Sequence, residues 1–315
     1  IIYTALFVTT VVASCSKFDE YKTNPDSTTE ATAAMLATGV ELSTFKSGGD
    51  AKAFISYSAL PKYVAYLSEG AMGTQYNSIG RCSFDSYTLW PNYDQMIEYA
   101  QGTEYESSYR GLAGFLKAYN AYILTMRTGD IPYSEAGKGK EGHVTPKYDT
   151  QEEVFKSVLA ELEAAEASFA AGRDFTGDLI YSGSVAKWRK ATYALRPKVL
   201  LSLSKKITAA QTAAFDAIVK AGNLPETNDD NLQLVYTTTS GTWHPLYNQT
   251  LFNPYTTVSE LVVDELKRPS DRRLFYFAEP APAQLEAGKT EAEFDAYVGT
   301  NTAADTKKSA EAVQQ

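Results

Sequence analysis

Between Gln151 and Leu203 the hydrophobic positions fall into two helical stripes. Val154, Phe155, Val158, Leu159, Leu162 and Phe169 recur at three- and four-residue steps and stop near Gly172, the spacing that gathers apolar side chains on one helix face. Thr150 and Glu153 precede them as a T-x-x-E capping box, in which the hydroxyl accepts from a free helix N–H and the carboxylate returns to the Thr backbone. Ser184 can cap a second helix carrying Trp188, Ala191, Leu195, Val199 and Leu203 on one face, which makes Trp188 a core residue. Pro197 inside that helix removes the bond to the Tyr193 carbonyl and predicts a kink.

The same pattern predicts helices on either side. An Ala-rich stretch from Thr28 to Phe45 places Met35, Leu36, Val40 and Leu42 at helical spacing and closes at Gly48 and Gly49. The apolar segment Phe54 to Leu67 contains Pro61 and should bend or restart there. A loop rich in Gly, Tyr and Ser follows between Gly70 and Pro91, then a short helix around Tyr93 to Tyr99. Thr103 and Glu106 read as a second capping box, opening a helix with Leu112, Phe115, Leu116, Tyr119, Ile123 and Met126 on one face and ending at Arg127 and Gly129. Gly111 and Gly114 inside it cost propensity, which close approach of a neighbouring helix compensates. Thr208 and Gln211 form a third box before Phe215, Ile218 and Val219, and that helix stops at Gly222. The short turn at Lys206 to Thr208 forces its two flanking helices to pair. Beyond Leu232 the helical period fades: Leu232 to Thr238 alternates like a short strand, Ser240 to Thr257 is a loop, and from Glu279 the chain is poor in apolar residues.

Three pieces in this order carry a resemblance: Gly129-Asp130-Ile131-Pro132-Tyr133-Ser134-Glu135-Ala136, then Pro146-Lys147-Tyr148-Asp149-Thr150-Gln151-Glu152-Glu153-Val154-Phe155, then Ile180-Tyr181-Ser182-Gly183-Ser184-Val185-Ala186-Lys187-Trp188. Together they resemble the core signature of the SusD/RagB family, surface glycan-binding lipoproteins of Gram-negative polysaccharide-uptake systems. The likeness continues through Ser259 to Leu266 and into Asp271-Arg272-Arg273-Leu274, where the family usually has D-P-R-L and this chain has Arg272 for the Pro. The resemblance implies an all-α, SusD-like fold with tetratricopeptide-like helix pairs, long loops and minor β structure. The capping boxes are not a fixed 34 residues apart, so spacing alone predicts no strict repeat.

Composition narrows the function classes. The chain has 315 residues, 44% of them hydrophobic, enough for a large packed core. Its net charge of −9 argues against a nucleic-acid partner, which needs a basic footprint. Ile1 to Val12 is apolar but shorter than the roughly 20 residues a membrane span takes, and reads as the apolar part of a signal peptide. It ends in Val12-Ala13-Ser14-Cys15, similar to a lipoprotein signal-peptidase box, which makes Cys15 the acylated mature N-terminus. No Met precedes Ile1, so the signal peptide over residues 1–14 is expected to be truncated. Residues 15–27 are then a lipidated tether, and 28–315 a helical domain that stops short of the family's usual length. The second cysteine, Cys82, is left without a disulfide partner and expected to be buried.

Catalytic signatures are scarce. His143 and His244 lie in no metal-ligand spacing, and neither a G-x-S-x-G elbow nor a phosphate-binding loop occurs. No cofactor or metal site is expected. A glycosidase needs only two carboxylates roughly 5–10 Å apart, and Asp130 with Glu135 is the tempting pair; both are read instead as caps on backbone groups. Binding chemistry fits better, because a sugar offers a C–H face to a flat ring and hydroxyls to amides and guanidinium groups. The chain holds 22 tyrosines, and two loop stretches interleave rings with such groups. One carries Tyr76, Asn77, Arg81, Tyr87 and Trp90; the other carries Trp243, Tyr247, Asn248 and Tyr255. The competing reading makes Trp90 and Trp243 anchors of their loops on the helical core.

The family resemblance implies a non-enzymatic protein anchored by lipid to the outer membrane, facing the cell exterior. It would bind oligosaccharide and deliver it to a SusC-like TonB-dependent transporter. Two alternatives stay open: the same fold and partner with a peptide or other nutrient as cargo, and a surface glycoside hydrolase.

Overall fold

The computed structural model describes residues 31–46, 51–67, 78, 80–247 and 256–303. Ten α-helices and two short strands occur among them: α1 (Ala33–Phe45), α2 (Ala51–Ala59), β1 (Val64–Tyr66), α3 (Trp90–Ala100), α4 (Glu106–Thr128), α5 (Gln151–Ala171), α6 (Val185–Ser202), α7 (Ala209–Ala221), β2 (Thr256–Val258), α8 (Glu260–Lys267), α9 (Leu274–Phe277) and α10 (Pro282–Glu286). The fold is all-α with minor β structure. The chain divides into two compact units, one formed by residues up to Phe45 with Ser83–Leu234, the other by Lys46–Cys82 with Val235 onward.

The first unit is built around α4. It packs on α1, α3, α5 and α6, and 13 of its 23 residues are buried, more than a single amphipathic face accounts for. Its closest neighbour is α5, and the two glycines expected to permit this do so. A Cβ on Gly111 would lie 2.8 Å from the Phe169 ring, and one on Gly114 would lie 3.3 Å from the Ala165 Cβ. Consecutive helices α4/α5, α5/α6 and α6/α7 pack on one another, the paired arrangement expected from the sequence. Arg189 seals the α5/α6 seam with hydrogen bonds of 3.0 and 2.7 Å to Glu166, and Arg196 pairs with Glu163 beside it.

The helix ends follow local chemistry. Thr150 and Thr208 form complete capping boxes with Glu153 and Gln211, Ser184 accepts from the Lys187 N–H, and Gly222 closes α7 in the left-handed conformation. The box at Thr103 does not form. Tyr105 is the residue before α4, and Glu106 accepts instead from the Gly102 N–H at 2.9 Å, because a turn at 101–105 carries the backbone past Thr103 before the helix starts. Helix α6 runs unbroken through the buried Pro197. In α1 the buried residues are Ala33, Ala37, Val40 and Glu41, whereas Met35 and Leu42 are exposed. The small alanines let this helix approach its neighbours on the face opposite to the larger apolar residues.

Trp188 is the centre of the first unit's aromatic core and is fully buried. Phe169 stacks on it at 5.9 Å, while Phe115 and Tyr181 meet it edge-on at 5.1 Å each. Edge-to-face and offset arrangements of this kind suit the ring quadrupoles and add about 0.5–1.5 kcal/mol per pair beyond burial.

In the second unit β1 and β2 pair antiparallel, with Val64 opposite Val258 and Tyr66 opposite Thr256. This pairing spans almost 200 residues of sequence, so no local alternation announces it. Leu232–Thr238, expected as a strand, forms none. Ser259 caps α8 through the Val262 N–H and donates its own N–H to the Tyr63 carbonyl, tying helix to sheet. Val263, Leu274, Ala296 and Tyr297 form a small core, with Phe275 and Phe294 packed against it. The apolar-poor tail thus contributes two residues, Ala296 and Tyr297, to this core.

Candidate functional site

The central signature is a scaffold. In its first piece, Ile131 and Asp149 exchange backbone hydrogen bonds at 3.2 and 3.0 Å. The Asp149 carboxylate accepts from the Tyr133 and Ser134 N–H groups at 2.9 and 2.7 Å and from the Ser134 hydroxyl at 2.8 Å. Burial opposes its ionisation, but the hydrogen bonds from Ser134 and Tyr133 and the Lys147 charge outweigh this and hold it below the usual carboxylate range. Asp130 accepts from the Gln151 N–H at 2.9 Å, at the start of α5, and Glu135 from the Lys147 N–H at 3.0 Å. Both carboxylates of the tempting pair therefore hold backbone, as expected from the sequence.

The third piece is a tight turn before α6. Asp178 accepts from the N–H groups of Ile180, Tyr181 and Gly183 and from the Trp188 indole. Gly183 sits at φ +89°, and a Cβ there would collide with the Phe175 carbonyl oxygen, so only glycine fits. Asp178 lies outside the recognised motif and was not singled out from the sequence.

Tyr87 and Trp90 of the first candidate stretch turn inward. Trp90 is not a loop residue but opens α3, with only 6% of its surface exposed. Tyr87 and Tyr133 flank it at 5.0 and 5.6 Å, and the Lys117 ammonium lies 4.8 Å from its ring centre and 5.4 Å from that of Tyr133. The Tyr87 hydroxyl donates to the Pro132 carbonyl. Burial, then the neighbouring Tyr148 and Asp149, push the Tyr87 phenol well above its ordinary pKa. A ring so enclosed has no free face for a sugar. Trp90 fastens the Pro132 turn to the helices, the anchoring alternative. Arg81 is exposed in the other unit. Cys15, Tyr76 and Asn77 lie outside the described residues, and Cys82 is half-buried.

The second stretch behaves differently. Trp243 and Tyr247 are 44% and 51% exposed, with ring centres 5.1 Å apart and planes inclined at 49°. The Trp243 indole N–H donates to the Thr238 carbonyl at 2.6 Å, which fixes the ring against its own loop. The loop is closed by backbone bonds from Thr237 to Thr242 and from Thr242 to Thr239, and by contact of the Thr237 and Thr242 hydroxyls. Behind it Tyr236 meets His244 edge-on at 4.8 Å, and His244 Nδ1 accepts from the Leu246 N–H. The result is two exposed, oriented rings on a braced turn. Asn248 and Tyr255 lie outside the described residues. Tyr236 was missed, since its alternation with threonines reads as a strand.

Among the described residues no group of three or more His, Cys, Asp or Glu is placed to hold a metal ion. An apolar hollow of about 180 Å³ between α5, α6 and α7, floored by Leu159, Leu200, Ala214 and Ile218, is too small for an oligosaccharide, since ligand pockets run roughly 300–1,000 Å³.

The fold has parallels among known proteins. The SusD-like family model described as starch-binding, associating with outer membrane, matches residues 25–315, and the chain belongs to this family. Two SusD homologs from Bacteroides fragilis are similar in structure. One has TM-score 0.81 and 38% identity, covering 90% of this chain and 60% of its own; the other has TM-score 0.78 and 30% identity, covering 90% and 61%. A SusD/RagB family protein from Bacteroides thetaiotaomicron shares the fold at TM-score 0.63 and 21% identity, covering 78% and 53%. The chain thus spans less than two thirds of the length of these structures. No curated protein matches it.

Proposed function

We propose that this protein captures oligosaccharide at the cell surface without cleaving it and hands it to a SusC-like TonB-dependent transporter in the outer membrane, with Cys15 as its lipid anchor. The observation that carries the binding part is the Trp243–Tyr247 pair. Two large rings lie half-exposed side by side, with centres 5.1 Å apart, and offer a joint aromatic surface that a ligand can cover. Their inclined planes suit a curved chain of sugar rings, each C–H face resting on one aromatic face. The Trp243 N–H already has its acceptor, so the ring is held before the ligand arrives and little ordering cost remains. Membership of a family described as starch-binding and associating with the outer membrane supports both the ligand class and the location.

Non-enzymatic capture rests on Asp130, Glu135 and Asp149 being committed to backbone N–H groups. The test is affinity electrophoresis of the lipid-free chain through a panel of soluble polysaccharides, with a reducing-end assay alongside. Retardation by a glycan, lost in Trp243→Ala and without new reducing ends, is the expected result. New reducing ends would overturn the non-enzymatic reading, and retardation unchanged in Trp243→Ala would overturn the platform.

A further inference from the structure

We propose that Glu41 of α1 keeps a proton at neutral pH and shares it with Asp178, so that the pair latches α1 onto the 177–184 turn and weakens as that proton leaves. The two carboxyl groups come from segments 137 positions apart and meet inside the first unit. Glu41 is fully buried. One of its oxygens, Oε2, accepts from the Leu179 N–H at 2.7 Å, while Oε1 is enclosed and has no acceptor or donor bonded to it. Asp178 beside it is saturated with donors: the N–H groups of Ile180, Tyr181 and Gly183, and the Trp188 indole at 2.9 Å. Four N–H donors stabilise an anion at Asp178. A second anion alongside, enclosed and with a bare oxygen, would pay both desolvation and repulsion. A proton on Glu41 Oε1 removes both costs and supplies the missing hydrogen bond.

The other groups around this contact leave Glu41 no counter-charge. From the turn, Tyr181 gives its phenol proton to the Asp230 carbonyl, and Asp230 is paired with Lys190. From α3, Tyr93 accepts from Asn120 of α4. From α4, Tyr119 lies against Phe45. Desolvation, with Asp178 second, pushes the Glu41 carboxyl up to about 9, against a smaller opposing pull from the Leu179 N–H. The contact is also mechanically close: the Thr38 hydroxyl donates to the Gly177 carbonyl at 2.7 Å, and a Cβ on Gly177 would strike the Ala34 carbonyl.

The sign follows from proton counting. The native state holds a proton that the unfolded chain has lost above 4.5, so raising pH favours unfolding until the native carboxyl ionises near 9. Glu41→Gln is isosteric with the protonated acid: its amide oxygen can accept from Leu179 and its NH₂ can donate to Asp178. In urea titrations of the full chain, the folding constant of the parent relative to Glu41→Gln should fall by up to about tenfold per pH unit across that window. A pH-independent ratio would overturn the latch. Should Glu41→Gln fail to fold, carbon NMR of the parent chain decides. A Glu41 carboxyl carbon at the protonated position at pH 7, titrating only in the alkaline range, supports the proposal, and one ionised at pH 7 overturns it.

Discussion

The indole N–H of Trp188 donates to Asp178 Oδ2 at 2.9 Å, joining the centre of the aromatic core to the turn that precedes its own helix. Through this bond one carboxylate organises both backbone and core. It gathers the N–H groups of Ile180, Tyr181 and Gly183, aims Tyr181 edge-on at Trp188, and leaves Ser184 in place to cap α6. The turn and the helix are therefore one folding unit.

Removing that carboxylate should be severe. Asp178→Ala strands four donors, each buried orphan costing about 1–3 kcal/mol, so we expect a loss of roughly 3 kcal/mol or more in urea unfolding. Trp188→Phe keeps a ring but loses the N–H. Because the two residues share one bond, the double variant should be less destabilised than the sum of the singles, with coupling of about 0.5–3 kcal/mol. Additive losses would mean that the bond contributes little.

The glycines make opposite predictions. At Gly111 an added Cβ meets the Phe169 ring at 2.8 Å, so overpacking of about 1–3 kcal/mol should outweigh the roughly 1 kcal/mol gained in helix propensity by Gly111→Ala. Gly39, exposed in α1, has nothing within 4 Å of such a Cβ. Gly39→Ala should raise stability by about 0.5–1 kcal/mol. Thermal unfolding of both variants checks the contrast.

Acid should open the 130–149 region through Asp149. Its native carboxyl lies below the ordinary 3.8, so its contribution is full above that value and lost as pH falls through the lower native one. Amide exchange at Tyr133 and Ser134, both donors to Asp149, should accelerate relative to other loop amides below about pH 3.8. In Asp149→Asn that acid-specific step should disappear.

What the sequence disclosed was local. The boxes at Thr150 and Thr208, the Ser184 cap, the turn before α7 and the close approach at Gly111 each depend on residues within one or two helical turns, or on a side chain that is absent. Trp188 was placed in the core by its helix face alone. What stayed hidden was non-local or a matter of register. The β1/β2 pair joins segments far apart in sequence, and Leu232–Thr238 alternates without pairing as a strand. Thr103 and Glu106 have the spacing of a box, but the turn before α4 starts the helix too late for it. Glu41 and Asp178 are buried by each other's segments, so nothing near either one marks it as internal. The two candidate tryptophans look alike in composition. The 3₁₀ turn at Asp85–Leu89 carries Trp90 into the helical core, while the Thr238 carbonyl holds Trp243 at the surface.

Acrylamide quenching of tryptophan fluorescence, with and without a glycan that retards the chain, is the most direct measurement. Of the three tryptophans, Trp90 and Trp188 are 6% and 0% exposed and Trp243 is 44% exposed, so the readily quenched emission reports Trp243. We expect the glycan to protect that fraction, and Trp243→Phe to abolish both the fraction and its protection. Binding that leaves Trp243 as open to quencher as before would contradict the account.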